Sequence, residues 1–167
     1  MKKSIIFCLS LFIAGVSFAQ SDIVDVAMSS KNHTTLVKLI KASDLVQPLK
    51  GKGPFTVFAP TNEAFEKLPD GTVEALMKPE NKEKLQAILK YHVVPNRLSS
   101  ERVVRTIKEG KNKAMLTSLN DKGIGAVLEE GKVKLMDQSG NTATVTATDL
   151  EGKNGVIHVI DTVLMPQ

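Results

Sequence analysis

Hydrophobic spacing divides the chain into a helical first half and a strand-rich second half. In the first half, apolar residues recur three or four positions apart, as they do along one face of an amphipathic helix. The predicted helices begin near Asp22, Asn32, Thr61 or Asn62, Thr72, Pro79, and Ser99 or Ser100. From Lys113 onward, apolar residues alternate with polar ones, which is typical of short strands joined by tight turns. The pattern predicts an α+β domain rather than a regular succession of strand–helix–strand units.

One strand is predicted within the helical half. The segment Phe55–Ala59 is rich in aromatic and β-branched residues, and Pro60 stops it. Because both faces of an extended Phe55–Ala59 segment are apolar, this strand is expected to be central and covered on both sides. Thr61 or Asn62 is expected to cap the following helix, which carries Phe65 into the core.

Three shorter segments carry turn and strand signals. Tyr91–Val94 is predicted to be a short extended run, and Gly123–Gly125 a turn between strands. Asn154–Gly155 is a turn signal that precedes a predicted strand over Val156–Leu164. His158 shares one face of that strand with apolar residues, so a buried His158 side chain would need a hydrogen-bond partner.

The N-terminus has the pattern of a secretory signal peptide. Lys2 and Lys3 precede Ser4–Phe18, an uncharged and mostly apolar run, and small residues stand at Ser17 and Ala19. A membrane anchor is disfavoured because a span normally needs about 20 apolar residues. We expect residues 1–19 to be cleaved, residues 20–167 to form one domain in the periplasm or outside the cell, and membrane contact to be only transient.

Removal of this segment changes the composition of the protein. The single cysteine of the 167 residues, Cys8, leaves with it, so no disulfide is expected in the mature domain. The net charge falls from +4 to +2 because Lys2 and Lys3 leave without any acidic residue. So mild a charge does not indicate a nucleic-acid partner, and the remaining aromatic residues fall between positions 55 and 91, where they are expected in the core.

The chain contains no motif typical of a catalytic, cofactor or metal site. His33, His92 and His158 are far apart and match no metal-binding spacing, and the sequence has no nucleophile elbow, phosphate-binding loop or dinucleotide-binding glycine run. We therefore predict no catalytic, cofactor-binding or metal-binding residues. The densest basic stretch, Arg97–Lys113, is interpreted mainly as a solvated helix face, with acidic polysaccharide or anionic lipid as a minor alternative.

Three segments resemble, in order and at the expected spacing, the signature boxes of the fasciclin domain family. They are Gly53–Phe65, Tyr91–Pro95 and Asn154–Pro166, and the resemblance covers the chain from about Asp22 to Pro166. It implies a fasciclin-like β-wedge of about seven short strands, with several helices mostly from the N-terminal half. The motif residues to which the resemblance gives a structural role are Phe55, Phe58, Pro60, Thr61, Asn62, Phe65, Tyr91, His92, Asn154, Gly155, His158 and Asp161.

The resemblance also implies a function. Members of this family are noncatalytic modules of cell adhesion, extracellular matrix or envelope contact, whose partner would be a protein or polysaccharide of the cell surface or matrix. The Tyr91–His92 pair is expected to brace the first box through Thr61 and Asn62. Asp149 and Leu150 occupy the place of an Asp-Ile pair linked to integrin binding in animal relatives, so they are candidate interaction residues.

A second hypothesis from a different class is a periplasmic small-ligand binder or enzyme with a pocket near His92 or His158. A deep cavity that converges on either side chain would favour it. Burial of both imidazoles with satisfied hydrogen bonds would favour the interaction module.

Overall fold

The computed structural model describes residues 21–167, so the predicted signal peptide and Cys8 lie outside the described residues. The helices are Ile23–Ser29 (α1), Thr34–Ala42 (α2), Val46–Leu49 (α3), Asn62–Glu66 (α4), Thr72–Leu76 (α5), Lys82–Tyr91 (α6) and Ser100–Glu109 (α7). The strands are Phe55–Pro60 (β1), Val93–Val94 (β2), Lys113–Thr117 (β3), Gly123–Glu129 (β4), Lys132–Met136 (β5), Thr142–Gly152 (β6) and Gly155–Ile160 (β7). The predicted α+β class, with one early strand and about seven strands, is confirmed. Within residues 21–167, no helix combines the length and apolar character needed to cross a bilayer.

All strands join one sheet, in the order β2-β1-β7-β6-β5-β4-β3. From β3 to β7 the neighbours run antiparallel, as expected for strands joined by tight turns. Strand β1 lies parallel to β7, in a register that runs from Phe55 opposite Gly155 to Pro60 opposite Ile160. Because β1 also pairs with β2, it is the central strand that its apolar faces predicted.

The paired strands β1 and β7 separate two hydrophobic cores. Val57, Ala59 and Ile157 face a helical core built with α1, α2, α3, α5 and α6. Phe58 and Ile160 face a second core, enclosed by the curved sheet and α7. Side chains alternate between the two faces of a strand, so a strand between two cores must be apolar on both sides.

Polar side chains close the start of several helices. Asp22 accepts hydrogen bonds from the first turn of α1, Thr61 caps α4, and Ser99 caps α7. The predicted cap at Asn32 is wrong. A 3-10 turn occupies Lys31–His33, so α2 begins only at Thr34, and its N-cap residue His33 makes no capping side-chain bond.

The prediction of a turn at Gly123–Gly125 is wrong, because these residues form the start of β4. Gly125 lies opposite Met115 on β3 and opposite Met136 on β5. A Cβ atom at Gly123 would lie 2.8 Å from the Met115 Sδ. The glycines therefore leave room for two large exposed side chains on the outer face of the sheet.

Two predicted strand boundaries also differ from the structure. Tyr91 is the last residue of α6 and His92 is its C-cap, so only Val93 and Val94 of the predicted run are extended. The last strand ends at Ile160. The main-chain N–H of Asp161 still donates to the carbonyl of Thr144 at 3.1 Å, but the Asp161 carboxylate accepts the N–H of Thr144 in return, at 2.8 Å.

We predict that Gly155→Ala destabilises the protein by about 1–3 kcal/mol, because the added Cβ would lie 2.3 Å from the main-chain oxygen of Phe55. Gly125→Ala is the matched control, since its Cβ would make an ordinary contact of 3.4 Å with Met136. The free energy of unfolding in denaturant measures both. Equal effects of the two substitutions would contradict the close packing of β1 on β7.

Candidate functional site

The three sequence motifs meet where β1 pairs with β7. The main-chain N–H of Phe55 donates to the carbonyl of Asn154 at 3.0 Å, and that of Phe58 donates to the carbonyl of His92 at 2.8 Å. At the other end, the N–H of Thr61 donates to the carbonyl of Ile160 at 3.2 Å. These bonds place the first, central and last motifs side by side and make this junction the candidate site.

His92 lies in the interior, with 3% of its surface exposed. Its Nε2 accepts the main-chain N–H of Leu164 at 3.0 Å, so the proton is on Nδ1, which donates to the carbonyl of Ile88 at 2.8 Å. Burial lowers the pKa of His92 to about 4. The ring is therefore neutral at pH 7 and links the end of α6 to the last segment of the chain.

The expected contact of His92 with Thr61 and Asn62 is wrong. Thr61 caps α4, and the Asn62 side chain accepts the N–H of Thr35 on α2 at 3.0 Å. The ring of His92 points to the C-terminal motif instead, because both of its nitrogens are occupied by main-chain groups there and within α6. Its link to the first motif is the main-chain bond to Phe58.

His158 is also buried, with 2% of its surface exposed, and its ring lies 5.8 Å from that of Phe58 between centroids. The Nε2 atom bonds to the carbonyl of Leu98 at 2.7 Å, so it carries the proton. Nδ1 accepts the main-chain N–H of Asp149 at 3.3 Å. His158 thus connects β7 to the segment before α7 and to the irregular part of β6.

Ser100, Asp149 and His158 come together in an order that does not match a catalytic triad. The carboxylate of Asp149 accepts both the main-chain N–H of Ser100, at 2.9 Å, and its hydroxyl. Burial would raise the pKa of Asp149, but the hydrogen bonds from Ser100 hold it below its usual value. A triad needs the serine hydroxyl to donate to the histidine, and here it donates to the aspartate. The arrangement fastens the start of α7 to the sheet.

Asn154 connects four segments of the chain. Its side-chain oxygen accepts the N–H of Ile23 at 3.0 Å, and its amide nitrogen donates to the carbonyls of Leu49 and Gly51, each at 2.8 Å. Its main-chain oxygen accepts the N–H of Phe55. Asn154, predicted as a turn former and as a structural motif residue, therefore holds α1, the end of α3 and the start of β1 together.

The remaining motif residues lie close to this junction. Phe58, Phe65 and Tyr91 are buried, and the Tyr91 hydroxyl donates to the carbonyl of Gly123 at 2.8 Å. Of the two candidate interaction residues, Leu150 is 39% exposed, whereas the Asp149 carboxylate is occupied by Ser100. Leu150 is therefore the more exposed of the two, and Asp149 is half-buried.

Sequence reasoning missed two polar residues that organise the site. Thr56 is fully buried; its hydroxyl donates to the carbonyl of Asn96 at 2.6 Å and accepts the N–H of Leu98 at 2.8 Å. The carboxylate of Asp137 accepts the N–H of Met165 at 3.1 Å and two N–H groups of its own turn. Two signals in the sequence could have identified them. One is a threonine within a strand that is otherwise apolar on both faces, and the other is an aspartate just before Gln138-Ser139-Gly140.

Little space adjoins either imidazole. The voids that touch His92 and His158 have volumes of about 10 Å³ each, which is about the space of one water molecule. Larger hollows of about 360 and 330 Å³ lie elsewhere, the first beside Phe65 and Asp70, the second beside Leu49 and Lys90. Within residues 21–167, no group of three or more His, Cys, Asp or Glu side chains is arranged to hold a metal ion.

Comparisons with known proteins agree with these motifs. The model of the fasciclin domain matches residues 31–166. Protein sll1483 of Synechocystis is 46% identical over 157 residues, which cover 92% of this chain and 80% of that protein. Human periostin is 36% identical over 132 residues, which cover 74% of this chain and 13% of periostin.

A similarity of fold extends to a solved structure. The FAS1 domain pair of the insect cell adhesion molecule fasciclin I superposes with a TM-score of 0.77 at 21% identity. The match covers 87% of this chain and 51% of the insect chain, so the present chain spans about half of that domain pair. The described architecture, a seven-stranded wedge with helices, is the architecture of a FAS1 domain.

We predict that stability falls by about 3 kcal/mol between pH 6.5 and pH 4 because of His92. The His92 imidazole binds a proton near pH 6.5 in the unfolded chain but only near pH 4 in the folded protein. The stabilising contribution of neutral His92 is therefore complete above pH 6.5 and is lost progressively as the pH falls to about 4. His33, whose pKa burial also lowers, acts in the same direction. His92→Gln should give a correspondingly shallower dependence of the unfolding free energy on pH, and parallel curves for the two proteins would contradict the assignment.

We predict that Asn154→Asp destabilises the protein by at least about 3 kcal/mol, because the new carboxylate would face the carbonyls of Leu49 and Gly51 without a donor. Asn32→Asp is the control, since Asn32 is exposed and should change stability by less than about 0.5 kcal/mol. Denaturant unfolding at pH 7 compares the two. Similar effects would show that the Asn154 amide does not hold the four segments.

Proposed function

This chain belongs to the fasciclin domain family, and from that premise we propose that it is an exported interaction module without catalytic activity. Its partner is a protein or a polysaccharide of the cell surface, envelope or extracellular matrix. The insect protein with the same fold is a cell adhesion molecule, and we extend that class of function to this chain.

One observation carries the proposal. The side chains of His92, His158 and Asn154 are bonded to main-chain groups of the same domain, and the voids beside the two imidazoles have volumes of only about 10 Å³ each. His92, His158 and Asn154 are all buried, and their hydrogen bonds join segments that are distant in sequence. Buried polar groups satisfied in this way stabilise a fold, and they leave recognition to the exposed surface.

The proposed location follows from the N-terminal segment. Residues 1–19 have the sequence of a signal peptide, so we propose that the mature domain consists of residues 20–167 and functions outside the cytoplasm. That domain has no cysteine, so its stability in an oxidising compartment depends on the two cores and on the polar network between them.

We predict that the full chain, fused to a proximity-labelling enzyme in its native cell, labels surface, envelope or matrix components. The mature product should begin at Gln20, and Ala19→Arg should block the cleavage. A chain that starts at Gln20 and has no leader is the control, and it should label only cytoplasmic proteins. Identical labelling by the two chains would contradict export.

The same assay separates a surface function from a pocket centred on histidine. His158→Gln should weaken the fold but leave labelling unchanged when it is normalised to folded protein measured by circular dichroism. A folded His158→Gln variant that no longer labels these components would overturn the noncatalytic surface assignment, because it would place the functional group in the interior.

A further inference from the structure

Five exposed cations lie on α7, in the turn that follows it and at the start of β3. Arg102, Arg105 and Lys108 follow one another at intervals of three residues, Lys111 continues the spacing, and Lys113 opens β3. Residues three apart on a helix have Cβ atoms about 5–6 Å from each other, so the three cations of α7 are neighbours along its exposed side. We call these five residues the basic band.

The fold holds the basic band in place from the opposite side of the helix. Val103 and Ile107 are buried in the sheet-side core, which turns the cations outward. Asp149 fixes the first residue of α7 through Ser100. At the other end, Gly110 allows close approach to β3, because a Cβ there would lie 1.9 Å from the carbonyl oxygen of Lys113.

No carboxylate neutralises the basic band. Among residues 21–167, the cations that pair with a carboxylate within 4 Å are Lys50, Lys82, Arg97 and Lys134. Glu101 and Glu109 stand four positions from Arg105, a spacing that permits helical ion pairs, but neither comes within that distance. The five cations of the basic band therefore outnumber the two neighbouring carboxylates, Glu101 and Glu109. Arg97, at the start of the basic stretch, differs from them because it pairs with Glu151 at 3.4 Å.

We propose that the basic band binds a linear acidic polysaccharide through its carboxylate or sulfate groups. Three neighbouring cations on one helix, with two more in the residues that follow, can contact successive anionic groups of an extended polyanion, and the arginine guanidinium groups can bind such oxyanions in a bidentate way. The band contains no aromatic residue on which bases could stack, which disfavours a single-stranded nucleic acid. A lipid surface is disfavoured because the apolar side chains of α7 are committed to the core and are not free to insert.

This inference rests on the proposed function, since it names the class of partner that an exported interaction module would meet. It assigns recognition to a surface that none of the motif side chains forms. The motifs instead fix the helix that displays the basic band, through Asp149 and His158.

The test measures binding of the purified mature protein to immobilised heparin, a sulfated chain, and to polygalacturonate, a carboxylated chain. The band variant carries Arg102→Gln, Arg105→Gln and Lys108→Gln. The control variant carries Lys38→Gln, Lys41→Gln and Lys52→Gln, which remove the same charge from exposed positions elsewhere. We expect the wild-type protein to bind at least one polyanion, the band variant to bind it about tenfold more weakly, and the control variant to bind within about twofold.

Rising ionic strength should weaken binding of the wild-type protein, because exposed charges are screened. A further variant, Arg102→Lys with Arg105→Lys, keeps the charge but loses bidentate binding, so we expect its affinity to lie between those of the wild-type protein and the band variant. Melting temperatures of all variants establish that each is folded, so loss of binding cannot come from unfolding.

Three results would overturn the inference: no binding of the wild-type protein to either polyanion at low ionic strength, equal loss in the band and control variants, or binding to anionic phosphatidylglycerol vesicles alone. The labelling assay keeps this failure distinct from failure of the proposed function. If the band variant still labels surface components while neither polyanion is bound, the interaction module stands and the polysaccharide assignment falls.

Discussion

The parallel pairing of β1 with β7 is the constraint on which the rest of the structure depends. It joins residues one hundred positions apart and forms the wall between the two hydrophobic cores. Long-range pairing has an entropic cost that nearby contacts must offset, and both strands are apolar on both faces, so each side of the wall supplies buried area. The helical core and the curved sheet could not share one domain without this pair of strands.

The polar motif residues stabilise that wall at its ends. Asn154 fixes the end where β7 begins, and His92 fixes the segment after β7 by accepting the N–H of Leu164. His158 holds the adjoining loop through Leu98. The His92 ring must stay neutral for its Nε2 to accept this hydrogen bond, and burial keeps it neutral at pH 7 by lowering its pKa. The same burial makes the fold sensitive to acid, because protonation of the ring removes the acceptor. The buried histidines, which are residues of a type common in active sites, therefore stabilise the fold through hydrogen bonds. Recognition is left to the exposed surface, which includes the outer side of α7.

Much of this fold could be predicted from the sequence, because local spacing carries the information. The two apolar faces of Phe55–Ala59 indicated a central strand, and three ordered motifs indicated the family. What could not be predicted depends on contacts distant in sequence. The partner of His92 lies 72 positions away, and Gly123–Gly125 belong to β4 because they pair with β3 and β5. The basic stretch was visible as composition, but the structure was needed to show that the basic band within it has no carboxylate partner, whereas Arg97 has one.

Native-state hydrogen exchange at the two amides that bond to His92, one on β1 and one after β7, tests the stability of this wall most directly. The account predicts that the amides of Phe58 and Leu164, which donate to the carbonyl and to the ring of His92, exchange only through global unfolding. Their free energies of opening should equal the unfolding free energy from denaturant, while amides of the edge strand β3 open at lower cost. Local opening of Phe58 or Leu164 while β4 and β5 stay protected would contradict the account.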